Sequence, residues 1–464
     1  MEDLAELAIE KAMGAGAQFA DLRIEESTST SILIMDGKTK TMSSSSEEGI
    51  GIRAFFKGAW GFSSTNLLTK SSVRDAAVTA AKMAKSAQKR AKAEFELEDR
   101  AAVLADEKYP CREPPTDVTS EEKLSLALLL DRMMREHHES ISSTSVRYDD
   151  EVVDRLVANS FGTRVRTHEV WTLAACSAWA SSEGVIQRGH SSIGSIGGFE
   201  LMRTDAVTGI AAESAAQAVR LLDSVPAPAG KFTVVLDNKM TGIMAHEAFG
   251  HACEADGVLA GASVLEGRLG AKVAHESVSL CDDPTIEKSF GYFGYDWEGT
   301  KARRRTLIEA GRLKGFLHNL ETSSRMKAQP NGCARAQAYS SPPIIRMSNT
   351  FVAPGGVSKE ELIEEVDHGI LIMGSQYGYV EPAKGQFMFK GDEAYEIARG
   401  ELGQRYRDVS ISGVILEVLQ NVVAVADDFV LTDPGYCGKS GQEARVSDGG
   451  PHICISNMVV GGLV

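Results

Sequence analysis

Apolar and polar residues follow helical or alternating patterns over most of the chain, and Gly, Pro and Asn interrupt these patterns at turns. Residues 1–13 have apolar side chains at helical spacing and predict a first helix. Strands are predicted at residues 21–26, 31–35, 50–56 and 60–63, with turn dipeptides at 36–37 and 57–58, and together they predict an antiparallel meander. An alanine-rich helix is predicted over residues 72–93.

The same order of elements follows a second time. A helix over residues 120–138 leads into four predicted strands, at 142–149, 151–158, 163–180 and 183–192. A second alanine-rich helix over residues 205–222 closes this unit. The first half of the chain therefore reads as two loosely repeated units, each a strand meander with helices, and predicts an α+β fold with antiparallel sheet.

A segment rich in proline and glycine separates the two halves at residues 223–230 and has the composition of a linker. Two domains are predicted: an α+β N-terminal domain over residues 1–222 and a β-rich C-terminal domain over residues 231–464. The second domain begins with a buried-type strand at 232–236, followed by a helix over residues 239–250.

Composition narrows the classes of protein that remain. The chain has 464 residues, 43% of them hydrophobic and 24% charged, which is typical of globular domains. No apolar run reaches the roughly 18 residues of a membrane span, and the N-terminus lacks the features of a secretory signal. Seven cysteines without CxxC spacing fit a reducing compartment, so a cytoplasmic protein is expected. The net charge of −15 argues against a nucleic-acid partner.

The segment from His246 to His251 has the pattern HExxxH inside the predicted helix. Each residue of an α-helix turns about 100°, so side chains five apart point about 140° away from each other. Both imidazoles reach one ion only if the helix ends, widens or forms a π-bulge, a distortion that Gly250 tolerates. Glu247 and His251 share a helix face, which places a carboxylate where a general base for water activation belongs.

Metal binding is one interpretation of this pattern, and a capped, hydrogen-bonded helix end is the other. The spacing does not select a third metal ligand. Candidates occur both near the motif and far from it along the chain: Cys253, Glu254, Asp256, Glu266, Cys437 and His452.

Residues 246–256 resemble the HEAxGHxxExD signature of the TldD/PmbA family of cytoplasmic metalloproteases, in particular its metal-bearing TldD-type subunit. Phe249 and the pair Ala252-Cys253 depart from it, since a smaller aliphatic residue and Gly-Leu are common there. Further stretches that resemble family motifs are spread over nearly the whole chain, at residues 20–23, 58–62, 296–300, 306–315, 342–350 and 437–442.

The resemblance implies a zinc-dependent peptidase. In the family, zinc is held by the two histidines and by the cysteine of a CGKxGQ segment, which correspond here to His246, His251 and Cys437. The catalytic glutamate of the family corresponds to Glu247. Three protein ligands leave one position of zinc open for water, as in catalytic sites. Glu247 is expected to take a proton from this water, and the hydroxide to attack a peptide carbonyl.

The resemblance also implies a heterodimer with a paralogous subunit of the TldE/PmbA type, which encloses the site and admits unfolded peptides or small protein fragments. Two other functions are alternatives to peptidase activity. A non-catalytic regulatory subunit of such a complex conflicts with the intact HExxxH motif, and a DNA gyrase modulator conflicts with the net charge of −15.

Overall fold

The computed structural model of the chain describes residues 1–90 and 94–462. The elements of the N-terminal half are α1 (Glu2–Gly14), β1 (Phe19–Met35), β2 (Lys38–Phe56), β3 (Ala59–Thr65), α2 (Lys70–Gln88), β4 (Leu104–Lys108), α3 (Ser120–Arg135), β5 (Ile141–Asn159), β6 (Arg164–Ser182), β7 (Val185–Ile196) and α4 (Asp205–Arg220). Short 3₁₀ helices occur at Pro115–Asp117 and Phe199–Arg203.

A seven-stranded sheet runs through the N-terminal half in the order β3-β2-β1-β5-β6-β4, with β7 also paired to β6. Two antiparallel meanders, β1 to β3 and β5 to β7, are joined edge to edge by the antiparallel pairing of β1 with β5. One helix precedes and one follows each meander in the chain. The predicted repeat of antiparallel sheet and helices is confirmed.

Both predicted hairpin turns of the first meander are present. Asp36 and Gly37 have φ values of 52° and 73°, and Lys57 and Gly58 have φ values of 45° and 85°. Positive φ at both central residues is the geometry of a type I′ turn, whose twist matches that of the flanking strands.

Some boundaries differ from the predicted ones. β1 continues through residues 27–30 and β5 continues through Asp150, where the sequence predicts breaks between shorter strands. Each strand is hydrogen-bonded to a neighbour on both sides there, and this pairing holds polar residues in the sheet. Helix α2 begins at Lys70, two residues earlier than predicted, and ends at Gln88; the last predicted helical residues, 91–93, lie outside the described residues.

The C-terminal half is rich in strands, as predicted. Its elements are β8 (Val225–Pro226), β9 (Gly230–Leu236), α5 (Asn238–Ile243), a π-helix (Met244–Gly250), a 3₁₀ helix (His251–Cys253), α6 (Ala255–Leu259), β10 (Leu280–Asp282), β11 (Arg305–Glu309), β12 (Arg312–Leu313), α7 (Leu320–Met326), β13 (Ala334–Arg335), β14 (Ile344–Ile345), β15 (Asn349–Val352), α8 (Lys359–Glu364), β16 (His368–Met373), β17 (Tyr377–Glu381), β18 (Gln386–Lys390), β19 (Glu393–Ala398), β20 (Glu401–Arg407), β21 (Val409–Val414), α9 (Ile415–Gln420), β22 (Val422–Val425), β23 (Val430–Lys439), β24 (Gln442–Gly450) and β25 (Ile453–Gly462).

Two large sheets organise this half. A ten-stranded sheet has the order β17-β18-β21-β25-β9-β16-β19-β20-β8, with β22 also paired to β25, and a six-stranded sheet has the order β12-β11-β10-β15-β24-β23. β13 and β14 form a separate pair. Buried residues of both sheets and of the π-helix, such as Leu236, Phe249 and Val352, belong to one hydrophobic core. The π-helix, which follows β9 and α5 in the chain, therefore packs into a core that both sheets share.

Buried ion pairs connect the two halves. Arg53 of β2 donates to Asp21 at 2.5 Å and to Glu298 of the C-terminal half at 2.6 Å. The three side chains are 0–5% exposed. The strands of the seven-stranded sheet all come before residue 222 and those of the other sheets all follow it, within the described residues. The division into two domains itself stays a prediction. Among the described residues, no helix is long and apolar enough to cross a membrane.

Candidate metal centre

Asp237, which lies between β9 and α5, anchors the start of the helix that leads into the HExxxH motif. The carboxylate of Asp237 accepts hydrogen bonds from the backbone N–H of Met240 at 2.8 Å and from that of Gly374, just after β16, at 2.9 Å. The first of these caps the helix. Gly242 lets the helix approach β24, because a Cβ atom there would lie 2.6 Å from the backbone nitrogen of Gly449.

The motif residues 246–250 lie in the π-helix Met244–Gly250, which continues α5, and His251 follows it directly as the first residue of a 3₁₀ helix. The backbone N–H of His251 donates to the C=O of His246, a hydrogen bond between residues five apart that is typical of a π-helix. Residues five apart are then about one turn apart and lie on the same side. The ring centres of His246 and His251 are accordingly 5.4 Å apart. The predicted widening of the helix is confirmed.

Gly250 is needed for a different reason from the predicted one. Its φ of −54° and ψ of −51° are ordinary right-handed helical values, so its conformational freedom is not used. A Cβ atom at this position would lie 1.9 Å from Sδ of Met347, which is fully buried. The glycine therefore provides space for Met347 beside the π-helix.

Cys437 lies on strand β23, although the Pro434-Gly435 dipeptide before it is typical of a turn. Pro434 and Gly435 are themselves in the strand, beside a shift in its register with β24. The turn of the β23–β24 hairpin is at Ser440 and Gly441, whose φ values of 53° and 74° fit a type I′ turn. The thiol is therefore presented by a paired strand close to the end of a hairpin.

A buried arginine that sequence analysis missed holds this hairpin. The side chain of Arg346, 1% exposed, donates to the backbone C=O of Cys437 and to that of Gln442. It thus contacts both strands next to the turn. The sequence signal was a charged residue directly between the apolar residues Ile345 and Met347.

The π-helix and the hairpin bring three of the predicted site residues together. His246, His251 and Cys437 each offer one ligand atom, and these atoms lie within 4.8 Å of one another. Sγ of Cys437 is 3.4 Å from Nε2 of His251. His246 and Cys437 are 2% and 4% exposed, so the cluster is nearly closed to solvent.

The charges of the three side chains depend on each other. Burial by itself would raise the pKa of the Cys437 thiol, but the neighbouring His246 and His251 lower it to about 4. Burial disfavours the charged form of both imidazoles, yet the pKa of His246 is raised by Cys437. The pKa of His251 is raised well above its usual value by Glu254 and Cys437. The site therefore favours a thiolate next to positive charge.

The donor set fits a zinc ion. Histidine nitrogens and cysteine thiolate are common zinc ligands, and three protein ligands leave one position for water or substrate. Nδ1 of His246 is buried and has no hydrogen-bond partner among the described residues. A buried nitrogen without a partner is costly, and a metal or another ligand bound at Nδ1 itself would remove this cost.

Glu247 lies at the exposed side of the cluster. Its carboxylate is 3.9 Å from Nε2 of His251, and the side chain is 29% exposed. The predicted shared face of Glu247 and His251 is thus present. The carboxylate therefore lies beside the cluster and is also open to solvent, as a residue that exchanges protons with water must be.

Two candidates for the third ligand lie next to the motif without joining the cluster. Cys253 is fully buried in the hydrophobic core, and burial raises the pKa of its thiol. Glu254 accepts a hydrogen bond from Nδ1 of His251 at 3.0 Å, so it contacts a cluster residue from the opposite side.

Three other candidates have other partners or are exposed. Asp256 pairs with Lys439 at 2.7 Å, and His452 pairs with Asp428 at 2.7 Å. Glu266 is exposed on the surface. Sequence analysis gave Lys439 no role, although its position two residues after Cys437 places both side chains on one face of a strand.

Models of the PmbA/TldA metallopeptidase family match three segments of the chain. Domain 1 matches residues 20–84, the central domain matches residues 113–222, and the C-terminal domain matches residues 229–462. The last segment contains all residues of the cluster.

Relatives are similar over almost the entire chain. A metalloprotease of Methanothermobacter thermautotrophicus is 39% identical over 449 residues, which cover 96% of each chain. A metalloprotease of Methanocaldococcus jannaschii is 40% identical over 442 residues, covering 95% of this chain and 96% of the relative. A zinc metalloprotease TldD homologue of Saccharolobus solfataricus is 28% identical over 465 residues, covering 98% of this chain and 99% of the relative.

Solved structures share the fold. TldE from Thermococcus kodakarensis has a TM-score of 0.76 at 20% identity, covering 99% of this chain and 100% of that chain. A Thermotoga maritima protein described as a candidate modulator of a DNA gyrase has a TM-score of 0.77 at 22% identity, with the same coverage. These two likenesses show the α+β fold alone. The family models and the archaeal relatives show that the chain belongs to the TldD/PmbA family of metallopeptidases.

Proposed function

We propose that the chain is a zinc-dependent peptidase in which His246, His251 and Cys437 hold the metal. The observation that carries this proposal is the approach of the three ligand atoms to within 4.8 Å of one another. The thiol and the imidazoles come from elements far apart in the chain, and Nδ1 of His246 lacks a hydrogen-bond partner among the described residues. The name of the Saccharolobus relative supports zinc as the metal.

Glu247 is the proposed general base. Zinc, when bound, supplies a Lewis acid that makes water a nucleophile near neutral pH and polarises the peptide carbonyl. Glu247 accepts the proton of the attacking water and then delivers it to the amine that leaves. Its partial exposure and its distance of 3.9 Å from His251 Nε2 suit this transfer.

Burial of the cluster limits the proposed substrates to unfolded peptides or small protein fragments. His246 and Cys437 are 2% and 4% exposed, and access is from the side of Glu247, which is 29% exposed. An extended peptide can bring its backbone to such a recessed site, whereas the surface of a folded protein cannot.

We further propose a paralogous TldE-type subunit as partner, since TldE of Thermococcus kodakarensis has the same fold as this chain. The seven cysteines are all free thiols, which supports a reducing compartment such as the cytoplasm. A role in modulating DNA gyrase is not proposed for this chain, because a net charge of −15 disfavours binding to the negatively charged phosphates of DNA.

The test compares metal content and peptide hydrolysis in three forms of the full chain, each alone and with the paralogous subunit. The wild type is expected to contain one zinc per chain. Glu247→Gln keeps the zinc and loses about 10²- to 10⁴-fold in rate, because the amide cannot accept the proton. His246→Ala loses the zinc, because two remaining ligands do not form a competent site.

Two results would contradict the proposal. Stoichiometric zinc in His246→Ala would place the metal elsewhere. A normal rate of hydrolysis in zinc-loaded Glu247→Gln would assign the base to another residue.

A further inference from the structure

Lys439 connects the HExxxH segment with the hairpin that carries Cys437. Its ammonium group contacts Oε2 of Glu254 at 3.2 Å, Oδ2 of Asp256 at 2.7 Å and the backbone C=O of Ile345 at 3.2 Å. An ammonium group has three protons to donate, so three acceptors satisfy it completely. The side chain is 19% exposed and thus largely withdrawn from solvent.

Glu254 lies between this lysine and His251. Oε2 of Glu254 accepts the hydrogen bond from Nδ1 of His251 at 3.0 Å and also faces Lys439. The side chain is 5% exposed. A carboxylate as deeply buried as this one remains charged only if cations or hydrogen-bond donors stabilise it. Lys439 therefore provides a charge that Glu254 needs in order to stay beside His251.

One strand acts on both sides of the imidazole of His251. Cys437 and Lys439 are two residues apart on β23, so their side chains share a face. Cys437 approaches Nε2 of His251 at 3.4 Å, and Lys439 holds the carboxylate that binds Nδ1. The ring is thereby fixed with one nitrogen directed at the cluster.

We propose that Lys439 is a positioning residue of the metal centre, which acts through Glu254 to aim Nε2 of His251 at the metal position shared with Cys437. This inference rests on the proposed zinc site. Hydrogen-bond partners behind a ligating histidine typically contribute about 10- to 100-fold in metal affinity. Lys439 does not contact His251 itself; it acts by holding Glu254, the hydrogen-bond partner of His251, in place.

A purely structural role makes a different prediction. If the ion pairs only stabilised the fold, their loss would lower the melting temperature of the metal-free and zinc-loaded chain equally. Positioning instead reduces the increase in melting temperature that zinc produces, because that increase follows the metal affinity.

The experiment uses the full chain and the variants Lys439→Met, Glu254→Ala and the double variant. Zinc affinity is measured by competition with a chelator, and the melting temperature is measured with and without zinc. Lys439→Met and Glu254→Ala are each expected to weaken zinc binding about 10-fold or more. The double variant is expected to lose little beyond Glu254→Ala, because both residues act through the same contact.

A cobalt(II) spectrum adds a readout of geometry. Cobalt in place of zinc reports the arrangement of the ligands, and we expect Lys439→Met to change this spectrum while the thiolate remains bound. The matched control is Lys384→Met, which removes a 64% exposed lysine paired with Glu381. It should change neither the zinc affinity nor the spectrum.

The outcomes separate this inference from the proposed function. A folded Lys439→Met with wild-type zinc affinity and cobalt spectrum would overturn the inference. It would also be overturned if the loss of zinc affinity in the double variant equalled the sum of the losses in Lys439→Met and Glu254→Ala, expressed as free energies. If Lys439→Met does not fold, Glu254→Gln tests the same contact with the shape of the side chain retained. Failure of the wild type to bind zinc would overturn the proposed function instead.

Discussion

The thiol of Cys437 differs in its surroundings from other cysteines of the chain. Two histidines lower its pKa to about 4. Burial raises the pKa of five other thiols, those of Cys111, Cys176, Cys253, Cys333 and Cys454. Metals bind the thiolate, so a cysteine whose ionised form is stabilised in place needs no further rearrangement to act as a ligand.

Cys437→Ser is therefore expected to lose bound zinc and Cys253→Ser to retain it, although Cys253 is much closer to His251 along the chain. The serine at 437 replaces a thiolate by a weakly acidic hydroxyl, so zinc binding and hydrolysis should be lost. The serine at 253 places a hydroxyl in the hydrophobic core and should lower stability while leaving zinc bound. Metal analysis of both purified variants checks this, and the reverse result would assign the site to the local segment.

Sequence spacing predicts one part of the cluster and leaves another part open. For the pair His246 and His251 the argument is local, because an undistorted helix would point the two rings about 140° apart, and only a helix that ends, widens or forms a π-bulge brings them to one side. The position of Cys437 depends on the pairing of β23 with β24 and of β24 with β15. The β23–β24 hairpin is local, but the pairing of β24 with β15 joins residues far apart in the chain and has no local signal. Only the resemblance to the family therefore selected Cys437 among the candidates.

At the scale of elements, the π-helix is the feature on which the site depends. It places His246 and His251 on one side, and it is packed into the core through Ala245, Ala248 and Phe249. π-helical turns are rare and occur frequently at functional sites. Its end is fixed by the close contact between Gly250 and Met347, one residue before His251.

Gly250→Ala is predicted to impair both stability and zinc binding. The new methyl group would lie 1.9 Å from Sδ of Met347, so either the π-helix or Met347 must move, at a cost of about 1–3 kcal/mol. A moved helix end displaces His251. Zinc competition and denaturant unfolding measure the two effects. Gly257→Ala is the matched control, because a Cβ atom there meets nothing within 4 Å.

A double variant distinguishes displacement by Met347 from a direct effect of the methyl group. Met347→Ala removes the clashing sulfur, so Gly250→Ala should cost less zinc affinity in that background than in the wild type. An equal cost in both backgrounds would show that Met347 is not the reason for glycine at this position.

The elements themselves were predicted unequally. The start of α2 and both ends of α4 were predicted within two residues, because burial of an alanine-rich face imposes helical periodicity. Residues 38–48 of β2 were not predicted as strand. Each of them is exposed, so neither face is buried and no alternation of polar and apolar residues develops.

At the scale of the whole molecule, three stretches that resemble family motifs meet where the two halves join. Asp21 and Arg53 from the first sheet contact Glu298, and Glu298 also accepts a hydrogen bond from the backbone N–H of Leu320 at 2.7 Å. Trp60 stacks on Arg53, with its ring centre 3.9 Å from the guanidinium carbon. Buried pairs of this kind specify how surfaces fit more than they add stability, and removal of one partner leaves the other unpaired.

We expect His318 to make the stability of the chain dependent on pH. Burial lowers its pKa from 6.5 to about 4, so it is neutral in the folded chain at pH 6, whereas the unfolded chain binds a proton there. The unfolded state thus gains protons first as the pH falls, and the free energy of unfolding decreases between pH 6.5 and pH 4. A pKa difference of this size corresponds to about 3 kcal/mol.

His318→Gln should remove this part of the pH dependence, because glutamine does not titrate in the range and can still form a hydrogen bond near Thr322. Urea unfolding of the metal-free chain is measured from pH 7 to pH 4, so that titration of the metal cluster affects wild type and variant alike. The difference between them should change by about 3 kcal/mol over this range, with the wild type losing more stability. His368→Gln is the control, since this side chain is 81% exposed, and it should leave the pH dependence of the wild type unchanged. Parallel curves for His318→Gln and the wild type would show that His318 is protonated equally in the folded and unfolded chain.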